Sequence, residues 1–404
     1  MMNDLKPEPN VPEEPMPMHE QPGADASPTR RRFLATALGV GGVTLAASGA
    51  VTAVSAPEPS EVPVFETRLT RSYGVRVPFV GAGMGFVAMP ELVAAVSNAG
   101  GIGVLGNAIE PPSSTQVLIQ QVKMATQRPF GIDFLVDESA FGPLTTDDHI
   151  QVCIAEQVKL VVFHMNLPPQ AWVDRLHDSG ASVWAQVGSV DQALAATRLG
   201  IDAVIAQGSE AGGHNKSKTP LHELLPAVVR ATRGAMVLAA GGISDGARVW
   251  QALAAGADGV WVGSRLVASQ EAYAHAEYKA RLVDAGQAST VTTTMFGPEY
   301  PDRPYRVLRN RIVDEFAGRE SSIPNPPPPP LVIGTTVLSP RTQRQAYTMP
   351  KFSAIVPTPE TVGDFEEMGL PAGAGVASIR AIRPAAQIIA SMMLEARLSQ
   401  ARAA

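Results

Sequence analysis

The residues best able to do chemistry stand at the ends of short apolar runs. One run closes in Gln207-Gly208-Ser209-Glu210-Ala211-Gly212-Gly213-His214, which sets an imidazole on a glycine-rich loop. Imidazole changes protonation near neutral pH, so His214 is the leading candidate for a general base, with Glu210 beside it as a candidate pocket residue. A second run ends in Gly241-Gly242-Ile243-Ser244-Asp245-Gly246 and a third in Gly263-Ser264-Arg265. Glycines let a backbone approach a ligand closely, and the helix starts that follow leave N–H groups unpaired. These two turns are therefore a candidate phosphate cradle. His164, in Phe163-His164-Met165-Asn166-Leu167-Pro168, either lines the same pocket or packs as a core histidine.

Other reactive side chains read as structural. His177, His222 and His275 fall on or beside amphipathic stretches and read as solvated, while His149 opens a helix. Cys153 occupies an apolar helical position and reads as a buried hydrophobe rather than a nucleophile. Trp184 and Trp261 read as core filling. No spacing of His, Asp or Glu suggests a metal site, and there is no Gly-x-Ser-x-Gly elbow.

The runs carrying these residues belong to a repeat. Short apolar segments ending in Gly or a polar residue alternate with amphipathic stretches rich in Ala, Leu and Val. The pattern predicts strands at 78–84, 101–106, 130–136, 159–165, 182–187, 203–208, 236–241 and 259–264. Helices are predicted at 89–99, 113–126, 146–157, 168–179, 189–199, 221–232, 245–255 and 272–284. Strands apolar on both sides belong to a covered parallel sheet, and eight such units fit a closed (β/α)8 TIM barrel at 77–320. A doubly wound open sheet fits less well, because Gly81, Gly83 and Gly85 lack the third glycine of a dinucleotide turn. In a barrel, the carboxyl ends of the strands carry the site, which is where the candidates fall. Residues 321–404 read as a C-terminal extension: a proline-rich spacer and a helical tail, with a helix from Pro384 to Leu398 presenting Ile388, Ile389, Met392 and Leu394.

Composition narrows the function classes. The 404 residues include one cysteine, which excludes an internal disulfide and any cysteine-rich metal cluster. With 45% hydrophobic and 17% charged residues the chain is globular. A net charge of −6 without a long basic run argues against nucleic-acid binding. Residues 1–56 read as a leader: a disordered stretch, then Arg30 and Arg31 ahead of Phe33-Leu34 and an uncharged segment to Ala56, resembling a twin-arginine export signal. The expectation is export, with a retained membrane anchor at 33–56 as the alternative. Residues 57–76 read as a linker.

Five blocks carry a wider resemblance: AMPELVAAVSNAGGIGVLG (88–106), RPFGIDFLV (128–136), GIDAVIAQGSEAGGH (200–214), LAAGGISDG (238–246) and GADGVWVGSRLVAS (256–269). Together with a weaker match at LPAGAGVASIR (370–380), they resemble the nitronate monooxygenase family. The resemblance implies an FMN-dependent barrel that oxidises nitronates with O2 to a carbonyl compound and nitrite. It implies the FMN phosphate on Gly241, Gly242, Gly263 and Ser264, the Met84 backbone near the flavin ring, and Gln207 near the ring or ribityl chain. His214 is implied as base or anion partner. Asp133 stands where the family usually has an Asn that bonds the flavin, Gln186 where some members have Lys, and Ala374 where the tail usually has Gln. An ionised Asp133 would repel an anionic flavin and an anionic substrate unless protonated or paired.

The rival reading is an FMN- and NADH-dependent enoyl-thioester reductase, which shares the barrel and the EAGGH segment; FHMNLP (163–168) and the export leader favour the nitronate enzymes. Asp133 and Gln186 keep open an exported flavin-binding protein without turnover. The implied partners are a small nitronate and O2, with a homodimer possible and membrane contact only through export or the retained anchor.

Overall fold

A barrel forms here because every strand must hide both of its faces. The computed structural model describes residues 65–140, 142–323 and 331–404. The leader, with its signal or anchor, and the proline run at 326–330 lie outside the described residues. Eight strands pair in parallel: β1 (Phe79–Gly81), β2 (Ile102–Asn107), β3 (Phe130–Leu135), β4 (Leu160–His164), β5 (Ser182–Val187), β6 (Ala203–Gln207), β7 (Met236–Ala240) and β8 (Gly259–Val262). Each bonds to its sequence neighbours, and β8 returns to β1 through Phe79↔Val260 and Val80↔Trp261, so the sheet closes as expected. Seven helices alternate with them: α1 (Pro90–Asn98), α2 (Pro112–Ala125), α3 (Asp147–Ala155), α4 (Gln170–Asp178), α5 (Val190–Arg198), α6 (Leu221–Ala231) and α7 (Gly246–Ala254).

Strand periodicity sorts the side chains into two shells. Outward residues such as Val161, Val183, Val204 and Val237 pack under the helices, and Cys153 of α3 joins them there. Inward residues such as Val104, Leu160, Val162, Trp184, Ile205 and Leu238 fill the barrel. The same inward rows change character at their carboxyl ends. Leu160 and Val162 lead to His164, Trp184 to Gln186, and Ala203 and Ile205 to Gln207. An apolar floor therefore carries a polar ceiling.

The segment read as a linker closes the bottom of the barrel. A helix at Arg68–Tyr73 starts with a Thr67 capping box and sends Leu69 into the inner core. Tyr73 Oη accepts from Trp184 Nε1 at 3.0 Å, and Arg68 pairs with Asp258.

The outer ring is completed from the far end of the chain. A helix does form at Ala276–Asp284 (α8), but the position between α7 and α1 is taken by the C-terminal helix α9 (Ala385–Ala403). Ile388, Ile389 and Met392 are buried as expected, whereas Leu394 is 52% exposed; Met393 and Ala396 take its place. Leu394 turns outward because neighbours on both flanks shift the buried stripe around the helix. The tail also holds more than a spacer and a helix. Val332–Leu338, Gln345–Pro350 and Val362–Gly363 form an antiparallel sheet there; ahead of the tail, Thr290–Thr293 and Tyr305–Leu308 form another with Gly213–His214 from the loop after β6.

Gly246, at the start of α7, permits the docking of α9. Its N–H donates to Glu395 Oε2 at 2.9 Å, and a Cβ there would lie 2.3 Å from the Met392 carbonyl oxygen. Gly246→Ala should lower stability by about 1–3 kcal/mol through overpacking. Urea unfolding measures this, and an unchanged midpoint would contradict the close approach.

Candidate active site

At the carboxyl ends of the strands a cavity opens, holding about 1220 Å³ of empty space counting its mouth. Met84, Asp133, His164, Gln186, Gln207, His214, Gly241, Gly242, Gly263 and Ser264 all line it. The ladder explains their convergence: Asp133 sits beside Gly106, His164 beside Leu135, and Gln207 beside Ala240.

Glu210 is the exception and does not line the cavity. Its carboxylate accepts from the Leu221 N–H at 2.9 Å, at the start of α6, where Pro220 cannot supply a capping side chain. A helix start needs acceptors for its free N–H groups, and Glu210 supplies one from a neighbouring loop.

Two histidines occupy the cavity with different freedom. His164 Nε2 lies 3.3 Å from Gln186 Nε2, and its ring also bonds to the His214 backbone. His164 is thereby satisfied on both sides, and it positions the loop that bears His214. In His214 one ring nitrogen bonds to the Pro304 backbone, while Nδ1 is buried without a partner. The ring is stacked on Tyr305 with centroids 4.3 Å apart and meets Tyr300 edge-on at 5.3 Å. That placement follows from pairing of the strand Tyr305–Leu308 with Gly213–His214.

Burial sets the charge state. Desolvation pushes His164 down to about 4; it pushes His214 to about 3, with the neighbouring His164 adding to the shift. Burial raises the hydroxyls of Tyr300 and Tyr305 and holds Asp133 well above the carboxylate range. Among the described residues that line the cavity none is Lys or Arg. Burial therefore favours the neutral form of each titratable group lining the cavity.

The glycine turns fit an anionic group. Gly241 and Gly242 have φ of +116° and +67°, a region that other residues enter only with strain. Among the described residues, the N–H groups of Gly241, Gly242, Gly263 and Ser264 donate to no backbone carbonyl. Buried N–H groups require partners, and unpaired ones lining a cavity are suited to phosphate oxygens. Segment 371–375 covers this cradle: Gly373 N–H donates to Ser264 Oγ at 2.9 Å, and Ser244 Oγ donates to the Gly375 carbonyl at 2.6 Å.

Several lining residues were not foreseen. Tyr300, Tyr305, Gly373 and Gly375 come from beyond the repeat, where no periodicity marks a buried face, and Tyr278 comes from the inner side of the predicted helix at 272–284. Trp261 fills the barrel as expected and also forms part of the cavity wall. His149 is buried and bonded to Thr146 and the Glu110 carbonyl, His177 pairs with Asp202, and His222 is exposed beside Glu223, all as read, whereas His275 is half-buried: it accepts from the Glu277 N–H at the start of α8 and packs on Phe365.

Comparison with known proteins follows the same geometry. The family model described as nitronate monooxygenase matches residues 66–395. A Mycobacterium tuberculosis protein, (3aS,4S,5R,7aS)-5-hydroxy-7a-methyl-1-oxo-octahydro-1H-indene-4-carboxyl-CoA dehydrogenase, is 36% identical over 252 residues, covering 62% of this chain and 68% of that protein. A probable nitronate monooxygenase of Staphylococcus aureus is 28% identical over 301 residues, covering 65% and 83%. The structure of FabK from Thermotoga maritima superposes with a TM-score of 0.70 at 30% identity, covering 84% of this chain and 99% of that one.

Because both imidazoles have lowered pKa values, they stay neutral while the unfolded chain takes up protons below about pH 6.5. Their contribution to stability is full above that pH and is lost as pH falls towards 4 and then 3. In an NMR titration the ring C–H shifts of His164 and His214 should stay flat from pH 8 to pH 5. A midpoint near 6.5 for either would contradict the burial of these rings.

Proposed function

The chain belongs to the nitronate monooxygenase family of oxidoreductases, and from that premise we propose that it oxidises alkyl nitronates with O2, using FMN, to a carbonyl compound and nitrite. The observation carrying this reading is His214 Nδ1, a buried ring nitrogen without a partner, in a cavity it shares with a glycine cradle. Gly241, Gly242, Gly263 and Ser264 would hold the FMN phosphate, and Met84, Asp133 and Gln207 would face its ring or ribityl chain. When bound, FMN supplies the two-electron oxidising chemistry that protein side chains lack.

The protein's own part is to hold a small carbon acid and manage one proton. From a neutral nitroalkane, His214 Nδ1 removes the proton on the carbon beside nitrogen, which leaves an imidazolium next to a nitronate. A nitronate arriving preformed reaches the same pair by bringing a proton from solution. The anion then favours the charged imidazole, which offsets the desolvation that keeps it neutral in the free cavity. Gln186 and His164 keep the loop in place, and the buried Tyr300 hydroxyl, also without a partner, is free to donate to a nitro oxygen.

A second reading is favoured by the 36% identity to the carboxyl-CoA dehydrogenase: redox chemistry on a carbon near a thioester, with the same histidine moving the proton. Purified protein carrying FMN should consume O2 and release nitrite with propionate 3-nitronate and no NADH. Flavin reduction by NADH or by an acyl-CoA, but not by the nitronate, would favour the thioester reading; none of the three would leave a binding protein.

Substitution tests the role of the imidazole. His214→Ala should retain FMN and lose on the order of 10²-fold or more in turnover, the usual worth of a positioned base. Steady-state kinetics with matched flavin occupancy measures this, and unchanged turnover would remove His214 from the mechanism.

A further inference from the structure

Asp133 is the one acidic side chain in the cavity wall, and the handling of a proton by His214 leaves it without a role. It lies on the inward row of β3 and is 4% exposed. Its Oδ1 is sealed from solvent with no hydrogen-bond partner. The backbone of the loop after β1 presses against it: a Cβ built on Gly83 would lie 2.3 Å from Asp133 Cβ and 2.9 Å from Oδ2. Its ladder neighbours are Gly106 on β2 and Val162 on β4, neither of which carries charge.

The groups that could compensate a negative charge are equally neutral. The titratable residues sharing this cavity are His164, His214, Tyr278, Tyr300 and Tyr305. Burial favours the neutral imidazole in the first two and the neutral phenol in the other three. An isolated carboxylate in such surroundings has no counter-charge and no donor, so the protonated form prevails.

We propose that Asp133 works as a neutral carboxylic acid in the cavity wall, donating its proton as a hydrogen bond to an acceptor atom on the bound flavin. This rests on the flavin site described above. A carboxylic acid offers one donor and one acceptor, as a carboxamide does, and so meets the flavin without repelling it. Unlike a carboxamide, it can also ionise. At alkaline pH the wall becomes negative and opposes both the electron-rich cofactor and an anionic substrate.

The test compares wild type, Asp133→Asn and Asp133→Ala as full-length proteins, each with excess FMN. Thermal midpoints are followed from pH 5 to pH 9, and FMN dissociation constants are measured by flavin fluorescence at pH 6 and pH 9. A wild-type chain that must keep a proton against an increasingly basic solution loses stability relative to the amide. The Asn variant should therefore gain over wild type by a margin that widens with pH. At pH 6 it should bind FMN within about threefold of wild type, while Ala binds about tenfold more weakly for want of one hydrogen bond. At pH 9 the wild type alone should weaken.

A margin that stays constant with pH, or an Asn variant that binds more than tenfold tighter at pH 6, would show a carboxylate and overturn the proposal. An Ala variant equal to wild type would show that Asp133 does not donate to the flavin. If no form binds FMN, the flavin reading falls and the donor role falls with it, while the pH dependence of the midpoints still decides the protonation state.

Discussion

The site depends on one steric condition, the interlocking of segment 371–375 with three barrel loops. A Cβ on Gly212 would lie 2.5 Å from the Ala372 carbonyl carbon, one on Gly373 2.9 Å from the Glu210 carbonyl oxygen, and one on Gly375 2.6 Å from the Gly242 oxygen. Only hydrogen fits at these points, so backbone meets backbone. Hydrogen bonds then fasten the seam, from Ala374 N–H to the Glu210 carbonyl and from Ala372 N–H to the Arg306 carbonyl. The loops after β6, β7 and β8 share one clamp, and that clamp keeps the positive-φ turn at Gly241 and Gly242 facing the cavity.

Electrostatics follow from the same closure. A largely apolar cavity wall penalises isolated charge, and burial favours the neutral forms of Asp133, His164 and His214 within it. Charged partners remain outside the chamber: Arg303 pairs with Asp137, and Lys216 donates to Met165 and Asn166 near its edge. A ligand's charge must then be balanced by moving a proton, which couples recognition to acid–base chemistry.

Much of this was legible along the chain, for identifiable reasons. Strands such as Ser182–Val187 are buried on both faces and flanked by polar punctuation, so the repeat stands out. His164, Gln186 and Gln207 interrupt apolar runs at the one end where polarity has a use. Glu210 was misleading because a carboxylate beside a glycine loop looks like a pocket residue, whereas the demand it meets, a helix start behind Pro220, lies ten residues on. Tyr300 and Tyr305 were illegible, since irregular segments carry no period and their partners are distant in sequence. The eighth ring position was misread for the same reason: amphipathicity identifies a helix but not its neighbour.

The position of α9 has a consequence for how the molecule comes into being. The ring is completed by α9 (Ala385–Ala403), set against α1 (Pro90–Asn98) from the other end of the barrel sequence. Contacts between such remote segments carry a high loop-closure cost and form late. Until α9 docks, a gap stands between α7 and α1 with apolar surface open to water. Docking of α9 is thereby the step that turns an open, aggregation-prone ring into a finished barrel.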